Sequence, residues 1–313
     1  MVASGGAASM AVLRSHGLTR GQVARLVRDG ALLRLGRGCY TLPVDESTEY
    51  WAALRTKHLR ALAVVLTPDA AAGLRSAALL WGLPVSEIPT LPEVVRPPHA
   101  ARRKGTRTTC TRLDAGDVES AGGLRVTGLV RTCVDLAIDL PADESLITLD
   151  AALRRGVDRL ALLDALDHRG PVANVQRARQ SLAWADPFAE SPVESRGRGT
   201  LLTRGIPRPE CNLTFSFQGE TFRPDDWWVG TGLIGEADGR VKYRLTGSGE
   251  DPLWREKLRQ QWFEAELGMT VFRWTDREMR LAPDGAAERR RRLAALPAVR
   301  LWTPPPGLRV FRS

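Results

Sequence analysis

The chain has 313 residues, with 45 Lys and Arg against 36 Asp and Glu, for a formal charge of +9. That excess favours a polyanionic partner, nucleic acid foremost, although an Arg- and Ala-rich composition also follows from a high-GC genome. The length suits two or three domains rather than one. Cys39, Cys110, Cys133 and Cys211 make no CxxC pair and no metal-ligand spacing with the four histidines, which argues against structural zinc and a disulfide scaffold.

In chain order, Ala7 to Leu42 reads as two short helices and a tight hairpin. Thr19 opens a capping box with Gln22, Val23, Leu26 and Val27 give an i, i+3, i+4 apolar face, and Gly30 stands where a helix would end. LLRLGRGCYTL then folds back around Gly36-Arg37-Gly38. Helix, turn, helix and hairpin is the order of a winged helix-turn-helix. Arg20, Arg25 and Arg28 decorate its second helix, and Arg34 and Arg37 its wing, where cations reach phosphates and base edges. The plainer alternative is the solvated face of a packing module.

Helices are predicted over 49–66 and 71–82, short strands and turns over 93–140 with a helix start at Thr132, and helical periodicity from Leu146 to Ala183 broken at Gly170-Pro171. In the basic stretch Arg102-Arg103-Lys104-Gly-Thr-Arg107 a solvated loop outweighs phosphate contact. Asp186-Pro187 interrupts the pattern, which sets three regions: residues 1–45, an α+β and helical middle over 46–185, and 186–313.

The chemistry-bearing stretch runs from Ser191 to about Thr275. A helix from Ser191 to about Gly205 carries Glu194 in its first turn. NLTFSF and TFRPDDWWV read as a hairpin turning at Gln218-Gly219. LIGEADGRVKY reads as a strand ending in acids, a helix covers about 252–267, and MTVFRW closes an α-β-β-β-α-β order. Asp225 and Glu236 lie 11 positions apart, enough for a strand to turn and its neighbour to return alongside. Glu236 and Asp238, two apart in a strand, share a face. Such carboxylates need a counter-charge, and Mg²⁺ or Mn²⁺, hard ions that take oxygen ligands, would supply it and activate a water against a phosphodiester. Lys242 would assist, with Arg240 also within reach. Taken alone, Glu236, Asp238 and Lys242 also fit a polar strand end with an Asp-Gly turn.

Asp226 is expected on the face opposite Asp225, in solvent. Of Trp227 and Trp228, one is expected in the core, with base stacking by the other the weaker reading. Arg255, Lys257 and Arg259 read equally as phosphate contacts or a solvated face. The run Glu288 to Arg292 reads as the exposed face of a terminal helix, and Cys39 and Cys133 read as core thiols.

Arg-Pro-Asp225, Gly-Glu236-Ala-Asp238-Gly-Arg-Val-Lys242-Tyr, Arg-Glu-Lys-Leu-Arg and the closing Val-Phe-Arg-Trp strand resemble the C-terminal domain of actinobacterial proteins with a Vsr-like PD-(D/E)XK endonuclease fold. LTRGQVARLVRDGALLRLGRGCYTL is similar to the winged helix of AbiEi-type antitoxins, which act as DNA-binding autorepressors. The first resemblance implies a restriction-endonuclease-like domain in which Asp225 matches the first-strand aspartate, Glu236 and Asp238 the second-strand acids, and Glu194 the helix glutamate. It departs from the pattern in having Asp238 where lysine stands two after Glu236. The combined expectation is a multidomain α+β or α/β protein that binds DNA and cuts it as a metal-dependent endonuclease or nickase. The alternative is an inactive antitoxin-like transcriptional regulator in a toxin–antitoxin or phage-defence system, with a cognate toxin protein as partner. No apolar run approaches the roughly 18–20 residues needed to span a bilayer, and MVASGGAASM lacks the basic segment of a secretory signal. A cytoplasmic, nucleoid-associated location without a membrane partner is therefore expected.

Overall fold

The computed structural model describes residues 6–45, 49–101, 104–238 and 260–312. They build a mixed α+β protein of several small sheets and flanking helices. Two compact units interleave along the chain: Met1–Asp139 with Leu160–Val175, and Leu140–Arg159 with Gln176–Ser313.

The first unit begins with β1 (Ala7–Ser9), α1 (Met10–Ser15), α2 (Arg20–Arg28), β2 (Leu33–Gly36) and β3 (Cys39–Thr41). The predicted capping box forms: Gln22 N–H donates to Thr19 Oγ1 at 3.2 Å, and Thr19 N–H donates to Gln22 Oε1 at 2.8 Å. The chain leaves α2 through Gly30 at φ +76°, a left-handed conformation that favours glycine at a helix end. Sequence reading missed β1, whose three small residues carry no alternation to detect. It pairs antiparallel with β3, Ala7 opposite Thr41, and makes the sheet order β1-β3-β2. Leu13, Val23, Leu32 and Tyr40 are buried between this sheet and the two helices.

The rest of that unit holds α3 (Tyr50–Val65), β4 (Ala71–Ala72), α4 (Leu74–Leu80), β5 (Glu93–Arg96), β6 (Arg107–Cys110), β7 (Val118–Ala121), β8 (Leu124–Thr127) and α5 (Leu129–Asp139), with the sheet order β6-β5-β4-β8-β7. The helix expected over 71–82 loses its first turn to β4. A Cβ on Gly73 would lie 2.4 Å from Val95 Cγ2, so the backbone passes β5 too closely for any side chain there. Of the basic loop, Arg102 and Arg103 lie outside the described residues, and Arg107 is tied to Glu93 at 2.9 Å and to Asp139. The helical stretch divides into α6 (Ala142–Arg154), α7 (Arg159–His168) and α8 (Val175–Trp184), with a break at 155–158 beyond the one foreseen at Gly170.

In the second unit, α9 (Pro192–Leu202) precedes β9 (Glu210–Cys211), β10 (Thr214–Phe217), β11 (Glu220–Phe222), β12 (Asp226–Trp227) and β13 (Leu233–Asp238). A π-helical turn (Trp262–Glu266), β14 (Thr270–Thr275), α10 (Asp276–Leu281), α11 (Pro283–Ala295), α12 (Pro297–Arg300) and β15 (Arg309–Phe311) follow. The main sheet runs β14-β13-β12-β9, with β13 and β14 parallel and the other pairs antiparallel. The predicted hairpin at Gln218-Gly219 exists, but it belongs to a separate sheet, β11-β10-β15. Arg223-Pro224 divides TFRPDDWWV, so that only Asp226-Trp227 joins the main sheet, since proline has no N–H for a ladder.

Trp274 locks α9 to this sheet. A Cβ on Gly197 of α9 would lie 2.1 Å from its Nε1, and one on Gly235 of β13 would lie 2.7 Å from its Cζ3, so two glycines make room for one indole. Trp228 packs with Leu233, Phe272 and Trp274 on the α9 face, whereas Trp227 packs with Phe215 and Ile234 on the other. Both tryptophans are thus committed to packing. The run at 288–292 is not uniformly exposed either: Arg290 is buried with its guanidinium 4.2 Å from the Trp228 ring centroid, and burial pushes its pKa down to about 10.

Candidate functional site

The sheet register decides which acids meet. Asp226 pairs with Gly235 and Trp227 with Ile234. One step further along the same register sets Asp225 across from Glu236 at the end of β12. The Asp225 carboxylate reaches over to β13, where its Oδ2 accepts the Ala237 N–H at 2.7 Å, while its carbonyl accepts the Asn212 N–H. Both Asp225 and Glu236 are buried.

Asp238 lies on the same face of β13 as Glu236, at the half-exposed end of the strand. The parallel register sets Arg273 of β14 beside Glu236, and the Arg273 Nη1 lies 3.3 Å from Asp238 Oδ1. Sequence reading did not single out Arg273. Its signal was the alternation in VFRWT, which sends Phe272 and Trp274 to the α9 face and leaves Val271, Arg273 and Thr275 on the acid-bearing face. Lys242 and Arg240, expected to supply cations here, lie outside the described residues, as do Arg255, Lys257 and Arg259.

Glu194 sits in the first turn of α9, capped by Ser191. Its Oε2 accepts the Glu190 N–H at 2.8 Å and the Asn212 Nδ2 at 2.9 Å. Asn212 therefore bridges to the Glu194 side chain through its amide and to Asp225 through its backbone, which draws the helix acid toward the strand acid.

Asp226 corrects the expectation of a solvated side chain. It does face away from Glu236, but into the protein beneath α9, with 1% exposure. Burial pushes its pKa up to about 8; Arg198 opposes the rise, and the Asp225 and Glu194 carboxylates add to it. Its Oδ1 receives the Cys211 Sγ at 3.5 Å, and its Oδ2 has no hydrogen-bond partner among the described residues. The nearby Arg198, fully buried, donates to Asp150 Oδ2 at 2.6 Å and to Cys211 Sγ at 3.2 Å. Burial works against the Arg198 charge, but Asp150, Cys211, Asp226 and Asp186 together hold it above the ordinary arginine range. Neither Arg198 nor Asp150 carried a sequence signal, because an ion pair 48 residues apart leaves no spacing to read.

Among the described residues, no three His, Cys, Asp or Glu side chains gather as a metal-holding group. Mg²⁺ does not demand such a cage: it keeps several waters and binds through one or two carboxylates plus substrate phosphate. The facing pair Asp225 and Glu236 fits that donor set in kind. When bound there, a divalent ion would act as a Lewis acid and lower the pKa of a bound water. The chain's own share is to hold the two carboxylates in register and to bring Arg273 to the same face as counter-charge.

In the N-terminal module Arg20, Arg25, Arg28, Arg34 and Arg37 are all exposed. Arg25 lies 3.5 Å from Asp29, one helical turn on, and Arg34 donates its Nε to the Gly36 carbonyl. Cys39 and Cys133 are buried, as read from their apolar surroundings, and burial raises both thiol pKa values. No helix among the described residues is long and apolar enough to cross a membrane.

No protein-family model matches the chain. It is 28% identical over 278 residues to two uncharacterized proteins of Mycobacterium tuberculosis, MT2308 of strain CDC 1551 and Rv2248 of strain H37Rv, covering 87% of this chain and 96% of each relative. Among solved structures it is similar to the RV2827C protein of Mycobacterium tuberculosis, with a TM-score of 0.37 and 17% identity over 66% of this chain and 78% of that one.

Proposed function

We propose that the protein acts on DNA: the N-terminal module docks on the duplex as a winged helix-turn-helix, and the second unit is a PD-(D/E)XK-type domain that hydrolyses phosphodiesters with Mg²⁺ or Mn²⁺. The observation that carries this reading is the register that opposes Asp225 to Glu236 on a sheet whose last strand runs parallel to β13, with Glu194 brought in on the preceding helix through Asn212. In this reading Arg273 takes the place of the lysine missing two positions after Glu236. Its guanidinium offers donors to a phosphate and balances the two acids beside it.

The test is incubation of purified protein with supercoiled plasmid, branched DNA and single-stranded DNA in Mg²⁺, Mn²⁺ or EDTA, alongside Asp225→Ala and Glu236→Ala. Metal-dependent cutting is expected from the wild type and its loss from both variants. Substrates left intact by the wild type under every condition would remove hydrolysis from the proposal.

A second reading rests on a specific observation: Asp225 Oδ2 is occupied by a backbone N–H, Asp238 faces Arg273, and no three-ligand group forms among the described residues. Such a site suits a fold that has given up chemistry and keeps DNA or protein contacts. The protein would then be an antitoxin-like transcriptional regulator in a toxin–antitoxin or phage-defence pair, dependent on Arg28 and Arg37 and indifferent to Asp225.

A further inference from the structure

Beside the Glu194 end of the site lies a concavity of about 340 Å³ that the proposed chemistry does not use, lined by Arg154, Arg223, Arg312, Phe188, Glu190 and Asn212, among others. Asn212 ties it to the acids, since the same residue donates its side-chain amide to Glu194 and its backbone N–H to the Asp225 carbonyl. Three arginines share the lining with one carboxylate. Arg223 lies 2.8 Å from that carboxylate, Glu190, and Arg154 donates to the Ala189 carbonyl. Arg312 stacks 3.8 Å from the Phe188 ring centroid while donating to the Cys211 carbonyl at 3.1 Å and to Glu210. A guanidinium carries five N–H donors, so each arginine keeps donors beyond these anchors. The anchors hold the planar groups in place, which reduces the ordering cost of receiving a tetrahedral anion.

We propose that this concavity is a phosphate subsite for the nucleic-acid backbone, gripping a phosphodiester that flanks the one presented to Asp225 and Glu236. It rests on the DNA-acting reading above. Arginine forks match phosphate oxygens bidentately, and the stack on Phe188 holds the Arg312 guanidinium in the lining.

The experiment measures binding rather than cleavage. Full-length protein is titrated with a fluorescent DNA duplex bearing a single-stranded tail, in EDTA, over a series of salt concentrations. The double variant Arg223→Gln/Arg312→Gln is compared with Arg280→Gln, which removes an exposed charge on α10, and with Arg223→Lys/Arg312→Lys. The slope of log affinity against log salt is expected to fall in magnitude by about 1 in the double Gln variant, the loss of one phosphate contact. It should stay at the wild-type value in Arg280→Gln and in the double Lys variant. An unchanged slope in the double Gln variant overturns the subsite. So does an equal loss in the Lys variant, because that would trace the effect to lost packing. Calorimetric uptake of inorganic phosphate with an unchanged DNA slope would reassign the concavity to a small anion and likewise overturn it. If plasmid stays uncut while the slope still shifts, the subsite stands and hydrolysis falls. A wild type that does not bind DNA removes both.

Discussion

The N-terminal module and the acid-bearing sheet handle charge in opposite ways. Around the core of Leu13, Val23, Leu32 and Tyr40, five arginines stand exposed, and among the described residues they make one ion pair, Arg25 with Asp29, at the surface. In the second unit Asp150, Arg198, Asp225, Asp226 and Glu236 are buried, and Arg198 is held by several acids at once. Exposed cations add little to stability and remain available to a polyanion. Buried charges are tolerable only in company, so changing an acid in the sheet also changes stability, whereas the module's exposed cations can be changed at little cost to it.

The sharpest way to break that contrast is Arg198→Met. It leaves the Asp150 carboxylate buried without its cation, a change that typically costs about 3–5 kcal/mol. Urea unfolding of the full chain should show a correspondingly lower midpoint, and a loss below about 1 kcal/mol would mean that Asp150 is rescued by protonation. The next effect concerns Asp226, whose pKa is raised from 3.8 to about 8. The folded chain then binds a proton there that the unfolded chain has released. Its contribution to stability is fully present below about pH 4 and is lost as pH rises to about 8, at no more than about 1.4 kcal/mol per pH unit. Asp226→Asn keeps the shape without the charge. Its unfolding free energy should fall less steeply than the wild type's between pH 5 and pH 8; parallel curves would place no titration at Asp226.

What could be read in advance follows the range of the interaction. The Thr19–Gln22 box, the glycine exit of α2 and the shared face of Glu236 and Asp238 depend on neighbours within four residues, and the structure has them. The opposition of Asp225 and Glu236 was legible because one connection fixes a hairpin-like register. The Arg198–Asp150 pair, the seat of Asp226 and the position of Arg273 beside Glu236 and Asp238 were not, because each depends on elements brought together from far along the chain. β1 and β4 escaped for a different reason: strands of two or three small residues, such as Ala71–Ala72, have too few positions to show alternation. The hairpin at Gln218-Gly219 was real but was assigned to the wrong sheet, since local turn chemistry says nothing about which strands a hairpin joins.

The smallest expected change in stability comes from the module, and it separates the two regions most directly. Arg28→Ala with Arg37→Ala removes two exposed cations, one on α2 and one at the turn between β2 and β3, neither in an ion pair among the described residues. Thermal unfolding should therefore stay within about 0.5 kcal/mol of the wild type. DNA affinity should nonetheless fall, and its salt dependence should weaken by up to about one phosphate contact for each arginine. The charges that act on Asp226 are Arg198, Asp225 and Glu194, so the same double variant is expected to leave the pH dependence carried by Asp226 unchanged. If the variant instead unfolds early, the arginines hold the module together and the docking face must be sought elsewhere. Unchanged stability with unchanged DNA affinity would leave the exposed cations as a solvated surface and shift the DNA contacts to the second unit.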